Sequence, residues 1–262
     1  MLPANPEVRR YTDMLSVLTM RNVKTRYRGS ALGVAWSLVN PLIMTFVYTA
    51  VFGHAFAQYY RGSSLLYMLA VFIGLVSNGF FASATSQALH SVVSSSGLIN
   101  KVRTPPSVYP MAQLFSSGFQ LAAGSVPLLI VITLIFTHSV VNAIALAVPM
   151  LALALLAAGV GAIVSTLYVF FRDVPYMYEL VLFAMWVATP VFYPLAIVGP
   201  QYRPLIEWNP LTQIIETIRA LALGTHAPTA FGMLMPLAVG VVVSLAGWAI
   251  FRRSSVRFMD YL

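Results

Sequence analysis

Long apolar runs broken by short charged clusters set the pattern of this chain. No Lys, Arg, Asp or Glu occurs between Arg28 and Arg61, Arg61 and Lys101, Arg103 and Arg172, or Arg219 and Arg252. A helix of about 20 apolar residues, rising 1.5 Å each, crosses the ~30 Å hydrocarbon layer of a bilayer. Each charge-free interval holds one such helix, and the interval after Arg103 holds two. The pattern predicts an all-α membrane protein of six transmembrane helices, at 34–57, 65–86, 108–136, 143–171, 177–194 and 231–251. The fifth is the shortest and is bounded by proline. Residues 1–262 then form a single transmembrane domain.

Two further helices have a different grammar. Residues 5–28 predict an amphipathic helix lying at the membrane interface, with Asn5 as cap, Pro6 at the first helical position and Glu7 in the first turn. Its apolar face is Val8, Tyr11, Leu15 and Leu18. Gly29, Ser30 and Gly33 follow and let the chain turn into the first span. Between the fifth and sixth spans, Asn209, Pro210 and Gly224 frame a helix with an apolar stripe of Leu211, Ile214, Ile215, Ile218 and Leu221. Fourteen residues are too few to span, so this helix lies at the outer interface or re-enters the membrane. Glu216 and Arg219, three apart on it, read as an exposed pair of little energetic weight. Thr137, His138 and Ser139, followed by Asn142, supply the outer turn between the third and fourth spans. Ala157, Gly161 and Ser165, at steps of four, allow close helix approach within the subunit or between copies.

Composition agrees with burial in lipid. Hydrophobic residues make up 59% of the 262 and charged ones only 8%, against roughly 25% charged in soluble domains. Mean hydropathy is +0.83. The apolar run that ends in Ala55, Phe56 and Ala57 is too long and begins too late for a cleaved signal peptide. Charge then gives direction. Six spans put both termini on one side with twelve cations (Arg9, Arg10, Arg21, Lys24, Arg26, Arg28, Lys101, Arg103, Arg172, Arg252, Arg253, Arg257), and leave Arg61, Arg203 and Arg219 on the other. The positive-inside rule makes that richer side cytoplasmic. The net charge of +8 is therefore read as topology, and no nucleic-acid partner is expected.

Candidate chemistry is sparse. Cys is absent, the four His are scattered, and no metal site is expected. Glu179 and His54 are the ionisable groups nearest the spans, too few for an ion-coupled carrier, and no catalytic motif is present. Aromatics, at 13%, are abundant. Tyr48, Phe52 and Phe56 step by four along the first span, Phe72, Phe80 and Phe81 occur in the second, and Trp186, Phe192 and Tyr193 crowd the end of the fifth. Such rings either pack or face lipid, or offer flat surfaces to the C–H face of a sugar.

The stretches RYRGSALGVAWSLVNPL and VYTAVFG, then LINKVRTPPSVYP, FRDVPYMYELVLFAMWVATPVFYP and WNPLTQIIETIRALALG, in this order, resemble permeases of type-2 ABC exporters. The polysaccharide-export branch, which carries O-antigen, capsule and teichoic acid, is the most similar. The resemblance covers nearly the whole chain. It implies a homodimer in a bacterial cytoplasmic (inner) membrane, serving lipopolysaccharide biosynthesis or a related export. ATP and Mg would be bound by two copies of a separate nucleotide-binding ATPase subunit, with no cofactor and no enzyme activity on this chain. It implies an N-terminal gate helix and short re-entrant helices before the last span. Arg26, Tyr27 and Arg28 match the cytoplasmic entrance, where paired cations would meet a lipid-linked pyrophosphate, or serve only as topology anchors. Tyr48, Phe52, Phe56 and Tyr193 become candidates for the translocation path. Gly97, Leu98, Asn100, Lys101 and Arg103 match the ATPase-coupling loop, and Arg172 and Asp173 a second inner turn. A drug- or small-molecule-exporting permease is the alternative within transport. A membrane-embedded enzyme acting on lipid-linked sugars is the alternative outside it.

Overall fold

A computed structural model describes residues 6–101, 104–224 and 230–261, with the side chains of 6, 100 and 101 outside that description. In chain order the helices are α1 (Pro6–Arg26), α2 (Trp36–Phe56), α3 (Ser64–Ser94), α4 (Ser96–Lys101), α5 (Val108–Thr137) and α6 (Val140–Ala145). There follow α7 (Ala147–Phe170), α8 (Val174–Ala188), α9 (Arg203–Glu207), α10 (Pro210–Leu223) and α11 (Ala230–Ser254). No strand occurs among the described residues. Five stretches, Gly33–Tyr59, Ser64–Ser94, Val108–Thr137, Val140–Phe170 and Ala230–Asp260, are long and apolar enough to cross a membrane.

The local signals act as expected. Gly29 and Gly33 take positive φ (77° and 50°) in the turn between α1 and α2, a region that a Cβ disfavours. His138 ends α5 in the left-handed region, and Ser139 caps α6 by accepting from the Asn142 N–H at 3.3 Å. Asn209 accepts from the Leu211 N–H at 3.0 Å and Gly224 closes α10 at φ 61°. Asn5, the expected cap of α1, lies outside the described residues. Within α1, Tyr11, Leu15 and Leu18 are half-buried but Val8 is exposed. The second span runs to Ser94, eight residues past its expected end, because apolar and small side chains continue to pack: Ala88, Leu89 and Val92 are buried.

The expected fifth span, 177–194, needs revision. Helix α8 starts three residues earlier and stops at Ala188, where Thr189 turns extended ahead of Pro190. At 15 residues it is the shorter apolar helix of the set. Tyr178 donates to the Thr85 hydroxyl at 2.6 Å. The Val191 backbone lies against Gly74, and the Phe192 carbonyl accepts from the Tyr67 hydroxyl at 2.8 Å. Contacts on α3 thus climb from 85 to 74, about 16 Å of helix, and an irregular segment of bends follows the short helix.

Helices α7 and α11 run parallel. Gly240 abuts the Ala152 carbonyl, Gly159 abuts Val243, and Gly247 abuts the Gly159 carbonyl, so numbers rise together along the pair. Backbones meet this closely only where glycine leaves room. Sequence reading singled out Ala157, Gly161 and Ser165 instead. These are buried as well, with Gly161 set against Ala88 of α3, so their packing is within the subunit.

The exposed reading of Arg219 is also corrected. Helix α10 is inserted among α3, α5, α7 and α11, and Arg219 is 3% exposed. Its guanidinium donates to the Ala70 carbonyl (3.0 Å), the Val191 carbonyl (2.8 Å) and Glu216 Oε1 (2.7 Å). The periodicity located the apolar stripe but not the neighbours that enclose the opposite face. The Asn209 amide donates to the Thr189 hydroxyl at 3.0 Å, and Arg61 donates to the Gly224 carbonyl at 3.1 Å. Helix α10 therefore rises from the level of Thr189 to the α2–α3 turn.

Candidate functional site

One face of α2 organises the largest concentration of polar and aromatic side chains. Steps of three or four residues place Ser37, Asn40, Met44, Tyr48, Phe52 and Phe56 in one row. Its lower half forms a cleft of about 260 Å³ with α3 and α5, lined by Ser37, Asn40, Met44, Phe80, Ser83, Ser117, Gln120 and Ser125. The Ser117 hydroxyl, on a residue 2% exposed, has no hydrogen-bond partner in the protein. A second cleft of about 670 Å³, between α1, α3 and α5, adds Arg21, Asn22, Arg26, Gln87 and Gln113. Ser83 and Gln120 line both, so the two are continuous.

The walls of this slot mix amides and hydroxyls, each able to donate and accept, with the apolar side chains of Trp36, Pro41, Leu75, Val76 and Leu121 in the first cleft. Among the described residues no Asp, Glu or His lines it. Its polar groups can pair with the hydroxyls of a ligand. Gln87 Nε2 donates to Ser83 Oγ at 2.6 Å, holding one amide in place. Arg26 Nη1 donates to Gln120 Oε1 across the α1–α5 seam. Burial lowers the Arg26 pKa from its ordinary value, yet a guanidinium remains cationic at neutral pH. The slot thus has one positively charged end.

Above Met44 the row becomes aromatic. Tyr48 and Phe52 stack at 6.3 Å between centroids, and Phe52 and Phe56 at 5.7 Å. Phe192 joins them, 5.1 Å from Tyr48 and 6.0 Å from Phe52. Trp186 and Tyr193 sit 5.2 Å and 5.4 Å from Phe192. Three of the four expected aromatics are therefore in one ladder, and Tyr193 touches it through Phe192. The sequence reading noted Phe192 without choosing it. It follows Pro190 in an irregular segment of bends, where no helical period tells which way a ring points.

The three expected entrance residues do not all face one way. Arg26 faces the slot, and the Tyr27 hydroxyl is enclosed beside Arg26 and Gln120 although Tyr27 lines neither cleft. Arg28, in the turn after α1, is exposed beside Arg21 and Lys24. Arg21, which sequence reading left among the anchors, shares the slot with Arg26. Five residues apart, the two point about 140° apart on α1, and their long side chains reach the cleft from either side of it.

The expected coupling residues gather at the end where α1 meets α5. In α4, Leu98 is exposed while Ile99 is buried with Val92, Tyr109, Phe251 and Phe258, and Leu18 of α1 packs on the same cluster. Gly97 has open space where a Cβ would stand. Arg172 lies 5.9 Å over the Tyr168 ring and donates to the Tyr261 carbonyl at 3.0 Å. Asp173 is exposed beside it. The side chains of Asn100 and Lys101, and all of Arg103, lie outside the described residues.

Known proteins share this organisation at the level of sequence. The O-antigen export system permease protein RfbA of Klebsiella pneumoniae is 26% identical over 252 residues, covering 95% of each chain. The protein of the same name from Myxococcus xanthus is 24% identical over 257 residues, 97% of each. The polysialic acid transport protein KpsM of Escherichia coli is 20% identical over 214 residues, 81% of each. The family model for the ABC-2 type transporter matches residues 14–223, from α1 through the end of α10, and with that match the chain belongs to the ABC-2 type transporter family.

Proposed function

We propose that this chain is the membrane subunit of an ATP-driven exporter of a lipid-linked, O-antigen-like polysaccharide, working as a homodimer in the bacterial cytoplasmic membrane. The single observation that carries the reading is the row on α2. A slot that carries hydroxyls and amides among apolar side chains is followed, one turn further along the same helix face, by a stacked aromatic ladder. Sugars present hydroxyls around their rim and C–H groups on their faces, and the two halves of the row complement these in turn. The names of the similar permeases, and their length match to this chain, support the same cargo class.

In this mechanism the glycan's anionic linkage meets Arg26 at the charged end of the slot, and the saccharide advances past Gln120 and Asn40 to Tyr48, Phe52 and Phe56. The work is supplied by ATP and Mg on two nucleotide-binding subunits. These dock at α4 and at Arg172 and Asp173. Six crossings, the fifth made by α8 with the irregular segment after it, leave both termini cytoplasmic. The parallel α7–α11 pair and the asymmetric distribution of cations support this topology. Helix α1 serves as the cytoplasmic gate and α10 as a re-entrant helix. The exposed α8 residues Tyr176, Leu180 and Phe183 are the surface for a second copy.

The test is export of surface polysaccharide by Gln120→Leu and Phe52→Ala variants, with Val51→Ala, exposed on another face of α2, as control. Both path variants are expected to lower export at unchanged protein level while the control does not. Normal export in both path variants overturns the assignment. Efflux of small amphiphiles that depends on the same residues, without polysaccharide export, would move the protein to the drug-exporting branch.

A further inference from the structure

The seam between α1 and α5 has two edges. One is the polar slot at Gln113 and Gln120. On the other, Phe115 and Phe119 of α5 face Leu15, Met20 and Val23 of α1 across an apolar groove of about 360 Å³. Both rings are more than half exposed. The Thr19 hydroxyl lies in this wall, enclosed and without a hydrogen-bond partner in the protein. Through Ser16 and Met20 the groove runs onto a shallow concavity of α1 that carries Arg21, Lys24 and Arg28. Among the described residues the salt bridges are Arg203–Glu207 and Arg219–Glu216, so none of these three cations is paired with a carboxylate.

We propose that this groove is a binding site for one anionic phospholipid of the adjoining leaflet. One acyl chain lies between Val23 and the Phe115 and Phe119 rings. The Thr19 hydroxyl donates to an ester carbonyl, and the phosphate sits among Arg21, Lys24 and Arg28. The headgroup charge follows from the site. Three cations without a carboxylate favour a net-negative headgroup, whereas a zwitterionic one brings its own cation to an already positive surface. The occupant is bulk lipid and not the transported molecule, because the apolar groove that takes the acyl chain shares no lining residue with the slot, although the cationic concavity beside it shares Arg21 and Thr25. Its position also gives it a consequence. A lipid wedged at this edge holds α1 against α5, which keeps Arg26 within reach of Gln120 at the opposite edge. The inference depends on the membrane location and not on the identity of the cargo.

The full-length protein is placed in phosphatidylcholine nanodiscs containing phosphatidylglycerol with a photoreactive group at mid-chain, and labelled peptides are mapped by mass spectrometry. Label is expected to concentrate on the peptides holding Met20 and Phe115–Phe119, above the level on Val242 and Leu245, which are exposed on α11. Unlabelled phosphatidylglycerol should compete and phosphatidylcholine should not. Replacing Arg21, Lys24 and Arg28 with Gln, at exposed positions where folding is retained, should lower the preference about fivefold per charge. Val23→Trp fills the groove and should remove the label with the cations intact. Equal labelling of α11, headgroup-indifferent labelling, or an unchanged triple variant overturns the proposal. Loss of label when nucleotide-binding subunits are bound would give the cations to a protein partner and overturn it too.

Discussion

Arg219→Met is the sharpest test of how the bundle is held together. The substitution keeps the length of the stem and removes the planar donors that reach Ala70, Val191 and Glu216. The Val191 carbonyl, in an irregular segment, loses a charged donor at 2.8 Å, and leaving such a group unsatisfied costs about 1–3 kcal/mol. The Ala70 carbonyl loses a bond at 3.0 Å, about 0.5–1.5 kcal/mol. Glu216 is one-third exposed and rehydrates, so its loss weighs little. Removing a buried guanidinium also removes its desolvation penalty, which places the net near the lower part of the sum, about 2–3 kcal/mol. For a chain of this size that lowers an apparent Tm by about 5–10 °C. The assay is thermal unfolding of the detergent-solubilised protein, with Arg219→Lys beside it. Lysine keeps the charge without the planar fork, so it should fall between the two. Gly74→Ala gives an independent arm, because its Cβ would lie 2.6 Å from the Val191 carbonyl and 3.0 Å from Arg219 Nη2. Sharing one network, the two changes should combine less than additively. A Tm for Arg219→Met within about 1 °C of wild type would refute the reasoning, since an exposed ion pair has that weight.

Three other outcomes are expected. Gly159→Leu should abolish accumulation of folded protein, because its side chain would enter the Val243 backbone at the α7–α11 crossing, whereas Gly79→Ala, with open space around it, should leave expression unchanged. In this cysteine-free chain, single cysteines at Ser95 and Ser107 should crosslink to a nucleotide-binding subunit and one at Ser139 should not; crosslinking from Ser139 alone would reverse the orientation. Transport should be flat with pH across about 6 to 8, where His would titrate, since no Asp, Glu or His among the described residues lines the slot; a bell-shaped profile that follows transport but not ATP hydrolysis would show a titrating group on the path.

What the sequence determined by itself was whatever depends on neighbours along the chain. Charge-free intervals placed the long helices, since a span is a one-dimensional count of apolar residues. Asn209, Pro210 and Gly224 gave both ends of α10, and Gly29 and Gly33 the turn before α2, because caps and positive φ are local. The four-residue step of Tyr48, Phe52 and Phe56 put three rings on one face for the same reason. Tertiary structure decided everything that needed a second helix. It enclosed Arg219, which periodicity left exposed, because burial of a polar face is set by what packs over it. It joined Phe192 to the ladder across an irregular segment that has no period. It separated Arg28 from Arg26 and brought Arg21 to the slot, since the side that α5 occupies is invisible from α1 alone. It also drew α7 and α11 together in parallel through Gly159, Gly240 and Gly247, glycines whose spacing has meaning only once the partner backbone is in place.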